Sequence, residues 1–215
     1  MTKQKERIRR YLLFMIGLFI NSLGVTLVTR ADLGTSPISS IPYVLSLGFA
    51  PSLGTFTLYM SLFLIALQLL ILGRSFPRQY LLQLPVSFLF SYFIDFSMKL
   101  LAFLKPDHYA QKLLLLLVGC FVLGFGVFIE VAANVVMLPG ECFVNAVSMT
   151  YHTDFGKTKI IFDSSLAALA IGISLLLYGK VNGVREGTLI AAVLVGMIAR
   201  LLKQYSLQYR PILLP

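Results

Sequence analysis

The sequence predicts an all-α polytopic membrane protein with six transmembrane helices. They form two inverted three-helix repeats, each with a re-entrant or interfacial half-helix. The first observation is composition: the 215 residues are 58% hydrophobic and 13% charged, with a mean hydropathy of +0.86. Because a soluble domain has about 25% charged residues, this chain requires lipid as part of its solvent. The other two observations are six apolar segments and an internal repeat.

The internal repeat has an offset of 102 residues and needs no gap. Each repeat holds three spans, and an odd number of spans inserts the second copy in the opposite orientation, as in many secondary transporters. We therefore expect one integral membrane domain over residues 1–215, with repeat one at about 11–104 and repeat two at about 113–205. The matched positions are Gly17/Gly119, Phe19/Phe121, Gly24/Gly126, Val25/Val127, Ala31/Ala133, Pro37/Pro139, Ser46/Ser148 and Gly54/Gly156.

Six segments are apolar enough to be predicted as spans, since about 20 such residues cross a ~30 Å hydrocarbon core. The first follows a basic start, but it is too long for a signal-peptide core and is expected to remain uncleaved. The predicted spans are Tyr11–Thr29, Gly54–Gly73, Tyr80–Leu104, Leu113–Ala133, Ile160–Tyr178 and Gly187–Leu202.

The distribution of basic residues predicts the orientation. With the N-terminus in the cytoplasm, 12 of the 18 Lys and Arg residues fall on the cytoplasmic side. Positive residues are retained on that side, so both termini are expected to be cytoplasmic. Five of the 12 belong to the N-terminal cluster, and they contribute much of the asymmetry.

Each of two further segments, residues 33–53 and 135–155, holds only about ten moderately apolar residues after a proline, too few to cross the bilayer. Each has a proline near its start, Pro37 and Pro139, and proline is favourable in the first turn of a helix. Thr35 or Ser36 could cap the first of these helices. Their recurrence at equivalent positions favours re-entrant half-helices, which mark binding sites in such folds. An interfacial loop lying on the membrane is the alternative.

Ionisable residues at membrane depth need a partner or a function, because each costs at least about 2.5–3.5 kcal/mol to insert. Asp95 and Lys99, and likewise Lys159 and Asp163, have the i, i+4 spacing of helical ion pairs. Glu130 has no such cation. Burial disfavours the charged form of a carboxylate, so Glu130 is a candidate proton carrier, with a structural hydrogen bond as the alternative.

The half-helix starts are the predicted substrate site. A helix N-terminus exposes free N–H groups and about half a positive charge, which suits an anionic group. The predicted site residues are Thr35, Ser36, Pro37, Asn134, Pro139, Gly140 and Glu141, with Glu130, Asp163, Asp95 and Lys159 as buried or coupling residues. Glu141 could instead satisfy its own helix dipole, which weakens an anion site there.

Several classes of function are disfavoured. The net charge of +9 comes from residues at span ends, with no basic stripe that would suit nucleic acid. The two cysteines and two histidines are isolated, so we expect no metal and no cofactor. No motif of a hydrolase is present, and we expect no enzyme. An aspartyl dyad of Asp95 and Asp163 is a minor alternative.

Four motifs resemble the YitT/YczE-like family of bacterial integral membrane proteins, over Gly17 to about Arg200. In the second half, Val135 and Val136 replace the Leu-Gly of the first, so the two half-sites need not be equivalent. The resemblance implies a bacterial inner-membrane location and leaves the activity open. The motifs are GVTLVTRADLGTSPIS at Gly24–Ser39, MLPGECF at Met137–Phe143, GKTKIIFD at Gly156–Asp163 and GVREGTLIAA at Gly183–Ala192.

Together these features predict a small-molecule transporter or permease of the bacterial inner membrane. In one version of this prediction the substrate is anionic and its transport is coupled to protons. The alternative is a non-transporting membrane scaffold or assembly partner. The expected partners are the lipid bilayer and a small-molecule substrate, and the sequence leaves homo-oligomerisation open. Substrate, transport direction and coupling ion are not determined at this stage.

Overall fold

The computed structural model describes residues 3–208, and within them it contains α-helices, short 3-10 turns and no strand. The C-terminus and Arg210, both used in the orientation prediction, lie outside the described residues. The helices are α1 (Lys3–Arg30), α2 (Pro37–Ser46), α3 (Leu53–Leu72), α4 (Gln83–Leu100), α5 (Tyr109–Ala133), α6 (Pro139–Tyr151), α7 (Phe155–Tyr178) and α8 (Glu186–Gln208).

Five of the helical segments in residues 3–208 are long and apolar enough to cross a membrane. They are α1, α3, α4 with the 3-10 turn that precedes it, α5 and α7. The sixth predicted span is the helix α8, which is not among these five. Its uncharged stretch is short, because Glu186 and Arg200 stand near its ends. The all-α prediction is confirmed, and these helices indicate a membrane protein.

The third predicted span differs most from the observed helix. Residues Arg78–Leu82 form a 3-10 helix, and the α-helix runs only from Gln83 to Leu100. The prediction extended it to Leu104, but Leu101–Phe103 form a turn. Pro106 limits any longer helix, since a proline disfavours helical geometry in the residue before it.

Apolar side chains cover the outside of the long helices. On α7, Ile160 is 68% exposed, Ile161 70% and Leu176 88%. In water, contiguous exposure of this kind would mark a large interaction patch. On a helix of this length and hydropathy, it is the surface expected to contact lipid.

Helices α1 and α5 cross in antiparallel directions at glycines that leave no room for side chains. A methyl group at Gly17 would lie 2.9 Å from Ile129 Cγ2. One at Gly119 would lie 2.8 Å from the backbone nitrogen of Val28. Since lipid is as apolar as the side chains, helices associate in membranes through such close packing rather than through the hydrophobic effect.

A second pair of glycines brings the same two helices even closer at the centre of the crossing. A methyl group at Gly24 would overlap the backbone of Leu123, and one at Gly126 would lie 2.5 Å from the backbone nitrogen of Asn21. The backbones themselves are therefore in contact here, so neither glycine can accept a side chain without a shift of a helix.

The remaining helices are arranged around this crossing. Helix α4 packs on α1, and α8 packs on α5. The short helix α2 packs on α7 and α3, while the short helix α6 packs on α3 and α7. Each short helix is therefore held in part by a long helix from the other half of the chain.

We predict that Gly24→Ala lowers the free energy of unfolding by about 1–3 kcal/mol, the usual cost of overpacking. The matched control is Gly172→Ala on α7, where an added methyl group meets nothing within 4 Å. Thermal unfolding can be followed with a thiol-reactive maleimide dye, because Cys120 and Cys142 are buried and free. Equal melting temperatures for the two variants would contradict the close crossing.

Candidate functional site

The short helix α2 begins at a cluster of buried hydroxyl groups, here called the α2 hydroxyl cluster: Thr29, Thr35, Ser36, Ser39 and Ser40. Pro37 is the first residue of the helix, as predicted. Thr35 and Ser40 have no exposed surface, and the others are less than a tenth exposed. A polar group in such surroundings must find hydrogen-bond partners within the protein.

Hydrogen bonds connect the α2 hydroxyl cluster internally. The Thr29 and Thr35 hydroxyls lie 3.0 Å apart. Ser36 Oγ donates to Ser39 Oγ at 3.0 Å, and Ser40 Oγ donates to the Pro37 carbonyl at 2.5 Å. These bonds satisfy the hydroxyls with one another and with a carbonyl.

The predicted side-chain cap of α2 is wrong. Ser36 occupies the N-cap position with extended backbone, but its hydroxyl accepts no bond from a helix N–H. It bonds instead to Ser39, one turn into the helix. The N–H of Thr35, just before the helix, donates to Thr188 Oγ1 of α8 at 3.3 Å. The start of α2 is thus held by a side chain from another helix.

The short helix α6 begins in a different polar setting. Pro139 is its first residue, as predicted, and the Pro139 carbonyl accepts a bond from Gln68 Nε2 at 3.1 Å. Gln68 also exchanges two hydrogen bonds with Gln83, at 3.2 and 3.0 Å. Both glutamines are fully buried. This amide pair joins α3 to α4 and ties both to the start of α6.

The starts of the two short helices meet. A methyl group at Gly140 would collide with the end of the Ile38 side chain. Ile38 and Gly140 are both second residues of their helices, and they stand 102 positions apart in the sequence. The predicted site residues Pro37, Pro139 and Gly140 are therefore brought to one place in the fold.

Glu130 is buried on α5 and bonded to α1. Its Oε1 accepts a hydrogen bond from Asn21 Nδ2 at 2.9 Å, and 7% of the residue is exposed. Gly17 leaves the space that the Glu130 side chain occupies beside α1. The structure therefore contains the alternative partner expected for Glu130, an amide of a neighbouring helix.

Glu141, in the first turn of α6, receives no hydrogen bond from the described residues. Its carboxylate lies within electrostatic range of Glu130, Lys159 and Asp163. Lys159 Nζ lies 2.7 Å from Asp163 Oδ1, so the predicted pair in α7 is confirmed. Four ionisable side chains from α5, α6 and α7 thus form one neighbourhood, here called the α5–α7 charge cluster.

The predicted pairing of Asp95 with Lys99 is wrong. Asp95 Oδ1 accepts the backbone N–H of Gly54 at 2.9 Å, and its Oδ2 accepts the hydroxyl of Ser52 at 2.6 Å. A carboxylate is stabilised at the N-terminus of a helix, and here it serves the start of α3. Asp95 and Asp163 share no hydrogen bond, so they form no dyad.

Asn134 ends α5 in the left-handed conformation, with φ +50° and ψ +49°. Asp32, its counterpart in the first half, follows α1 and also has positive φ, +55°. Asn134 is exposed and lines a shallow cavity with Arg7, Arg10 and Tyr11. In the described part of the chain its side chain makes no hydrogen bond to either short helix, so its role here is to end a helix.

The sequence marked Gln68 and Gln83 only as polar groups of the interior, and the predicted site included neither these two nor Ser39, Ser40 and Thr188. The glutamines lie at opposite ends of two successive spans, where an antiparallel hairpin places them side by side. That arrangement is the signal that could have identified the pair. The hydroxyl residues carry no such signal, because serine and threonine are common in membrane helices. Within residues 3–208, no three His, Cys, Asp or Glu side chains are grouped closely enough to hold a metal ion.

The fold and site define an all-α protein with helices long and apolar enough to cross a membrane and with buried polar groups where two short helices meet. The profile of a family of unknown function, DUF6198, matches residues 8–204. The chain belongs to this family. No curated protein and no solved structure matches the chain. The family description does not name the YitT/YczE-like family, so that resemblance stays a prediction.

We predict that Gln68→Leu and Gln83→Leu each lower the free energy of unfolding by about 1–3 kcal/mol, because each leaves a buried amide unpaired. In the double variant the free energy of unfolding should fall by less than the sum of the two single decreases, since both partners are removed together. Dye-monitored thermal unfolding measures all three. Strictly additive losses would show that the two amides are not coupled.

Proposed function

We propose that this protein is a small-molecule transporter of the bacterial inner membrane. In this proposal six spans form two inverted three-helix repeats, and the substrate binds where the two half-helices meet. The observation that carries the proposal is the contact of Ile38 with Gly140. Discontinuous helices that meet at a repeat interface are the usual substrate site of inverted-repeat transporters.

Helix packing supports the inverted repeat. Gly17 contacts Ile129. The positions equivalent to these two under the 102-residue offset are Gly119 and Leu27, and they contact each other as well. Gly24 faces Leu123, and the same shift converts this contact into that of Gly126 with Asn21. Two antiparallel helices whose contacts interchange in this way are related by a twofold axis through their crossing.

The helix neighbours repeat in the same way. The packing of α1 on α4 corresponds, under the 102-residue shift, to the packing of α5 on α8. The packing of α2 on α7 corresponds in the same way to that of α6 on α3. This packing supports a symmetry that includes the flanking helices, with α8 as the proposed sixth span.

Burial along the short helices supports a re-entrant arrangement. Thr35 and Ser36, just before α2, are buried, whereas Leu47, just after it, is 42% exposed. Helix α6 starts at the buried Gly140 and ends at Tyr151, which is 67% exposed. Each therefore runs inward from an exposed end. Irregular backbone at membrane depth is tolerated only where protein or a cavity covers it.

The two half-sites differ in chemistry. The start of α2 offers hydroxyl groups and no acid, whereas the start of α6 carries Glu141, whose counterpart in α2 is Ser39. An anionic substrate group is therefore favoured at the α2 start. The α5–α7 charge cluster, with Glu130 as the carboxylate bonded to an amide, is the candidate coupling site for a proton.

A scaffold protein, the alternative function, has no need of buried carboxylates between helices. The Asn21 hydrogen bond of Glu130 and the partial exposure of Glu141 offset part of the insertion cost of about 2.5 kcal/mol or more each, and in a scaffold the remaining cost serves no function. Transport gives these residues a function, which is why it is the preferred proposal.

We predict that cysteines introduced at Lys5 and Arg74 are protected from a membrane-impermeant maleimide in intact cells. Cysteines at Lys105 and Lys180 should react. The reason is that six spans with a cytoplasmic N-terminus place the last two positions outside. The native cysteines are buried and contribute little background. Labelling of Lys5 and Lys180 from the same side would exclude this topology.

We predict that Glu130→Gln preserves the fold, because glutamine can still accept the Asn21 hydrogen bond, but abolishes substrate-driven proton movement. Proteoliposomes loaded with a pH-sensitive dye can be screened against small carboxylates and phosphates. The matched control is Glu186→Gln at the exposed start of α8. If the lumen of the proteoliposomes acidifies equally with wild type and with Glu130→Gln, Glu130 is not the proton carrier. Asp163 or Glu141 then becomes the next candidate.

A further inference from the structure

An open cavity of about 920 Å³ lies at the end of the molecule where α1 and α4 end and α3 begins. Its walls come from the ends of α1, α2 and α4 and from the loop before α3. We call it the Arg30 cavity. Its volume is within the range of small-molecule sites, about 300–1,000 Å³. It is separate from the meeting point of Ile38 and Gly140, neither of which lines it.

Three cations line the Arg30 cavity: Arg30, Lys99 and Lys105. None of the three forms an ion pair with a described carboxylate. Lys99 and Lys105 are exposed, so their charges are free to act on a solute that enters. A concave site lined by charges of one sign raises the local concentration of the opposite ion.

The two carboxylates of the cavity are already engaged. Asp32 Oδ2 lies 2.5 Å from Lys112 Nζ. Asp95 accepts hydrogen bonds from Ser52 and Gly54. Lys112 offsets the charge of Asp32, which leaves the single charge of Asp95 against three cations, so the cavity retains an excess of positive charge.

Arg30 has donors that the protein does not use. One terminal nitrogen, Nη2, donates to the Met98 carbonyl at 2.8 Å. Its Nε is buried and has no hydrogen-bond partner in residues 3–208. Because that Nε has no accessible surface, a solute in the cavity would meet the terminal nitrogens Nη1 and Nη2 instead. A guanidinium presents parallel N–H groups that match the two oxygens of a carboxylate or phosphate.

The Arg30 cavity is connected to the α2 hydroxyl cluster. Thr29 lines the cavity, and its hydroxyl lies 3.0 Å from that of Thr35. Tyr43, from the second half of α2, also lines the cavity. A ligand held on Arg30 would therefore lie beside the residues that surround the start of α2.

We propose that the Arg30 cavity binds an oxyanion, a carboxylate or a phosphate, with Arg30 as the bidentate donor and Lys99 and Lys105 as attracting charges. The group belongs to a soluble molecule or to a lipid headgroup. The role of the cavity as the outer entrance for the substrate rests on the proposed transport function. Binding itself is independent of transport.

The test measures thermal unfolding of the full-length protein in phosphatidylcholine nanodiscs, with the maleimide dye as reporter. Sodium phosphate and sodium acetate are titrated against chloride at constant ionic strength. We expect a saturable stabilisation that weakens at least about tenfold in Arg30→Gln, the loss of one charged hydrogen-bond pair. A parallel series with phosphatidylglycerol and no added anion identifies a lipid source, if the stabilisation arises there and again depends on Arg30.

Two further variants keep the test decisive if Arg30→Gln fails to fold. Lys99→Gln/Lys105→Gln changes two exposed residues, and it should weaken binding several-fold and reduce its salt dependence. Lys180→Gln is the control, an exposed lysine that does not line the cavity, and it should bind like wild type. The proposal is overturned if phosphate, acetate and lipid all fail to stabilise the wild type beyond chloride. Unchanged affinity in folded Arg30→Gln, or in the double variant, also overturns it.

The outcome is distinguishable from a failure of the transport proposal. Anion binding that depends on Arg30, without uptake in proteoliposomes, would reject transport and keep the site. Uptake that is unchanged in Arg30→Gln would reject the cavity as the outer entrance and keep transport, while the binding site is decided by the stabilisation measurements alone.

Discussion

The crossing of α1 and α5 is the contact on which the rest of the structure depends. Gly24 and Gly126 bring the two backbones together, and no other residue type fits at either position. In lipid there is no hydrophobic force between helices, so this close packing and interhelical hydrogen bonds must hold the protein together. Helix α4 then packs on α1 and α8 on α5, and the short helices pack against α3 and α7.

Because the interior excludes water, every polar group placed there needs a partner from the protein. Asn21 serves Glu130, and Gln68 and Gln83 serve each other. These bonds join α1 to α5 and α3 to α4, so they also hold the helices in register. The polar interior is divided by type, since hydroxyls surround the start of α2 whereas carboxylates lie near the start of α6. Helices whose contacts interchange under the 102-residue shift thus carry different polar groups at the starts of the two short helices.

Comparison of the two spaced ion pairs shows where sequence reasoning holds. Lys159 and Asp163 form the pair that their spacing predicts, because no stronger partner reaches either of them. Asp95 has the same spacing from Lys99, but the start of α3 lies next to it and offers an N–H and a hydroxyl. A helix N-terminus provides both hydrogen bonds and a favourable dipole, whereas an exposed lysine provides a screened and weak attraction. The helix start that lies next to Asp95 in the fold, rather than the lysine one turn along its own helix, therefore determines the partner of Asp95.

The sequence by itself determined which segments form helices and where the two short helices begin. Apolar runs of sufficient length form α1, α3, α5 and α7, and the prolines at positions 37 and 139 begin the short helices, because these properties depend on neighbouring residues along the chain. The 102-residue offset also identified in advance which glycines would be equivalent. Only the tertiary structure decided that Ile38 meets Gly140, that Gln68 pairs with Gln83, and that Arg30 faces a cavity with unused donors. Those contacts join residues far apart in the chain, and they depend on helix packing distances that no local pattern encodes.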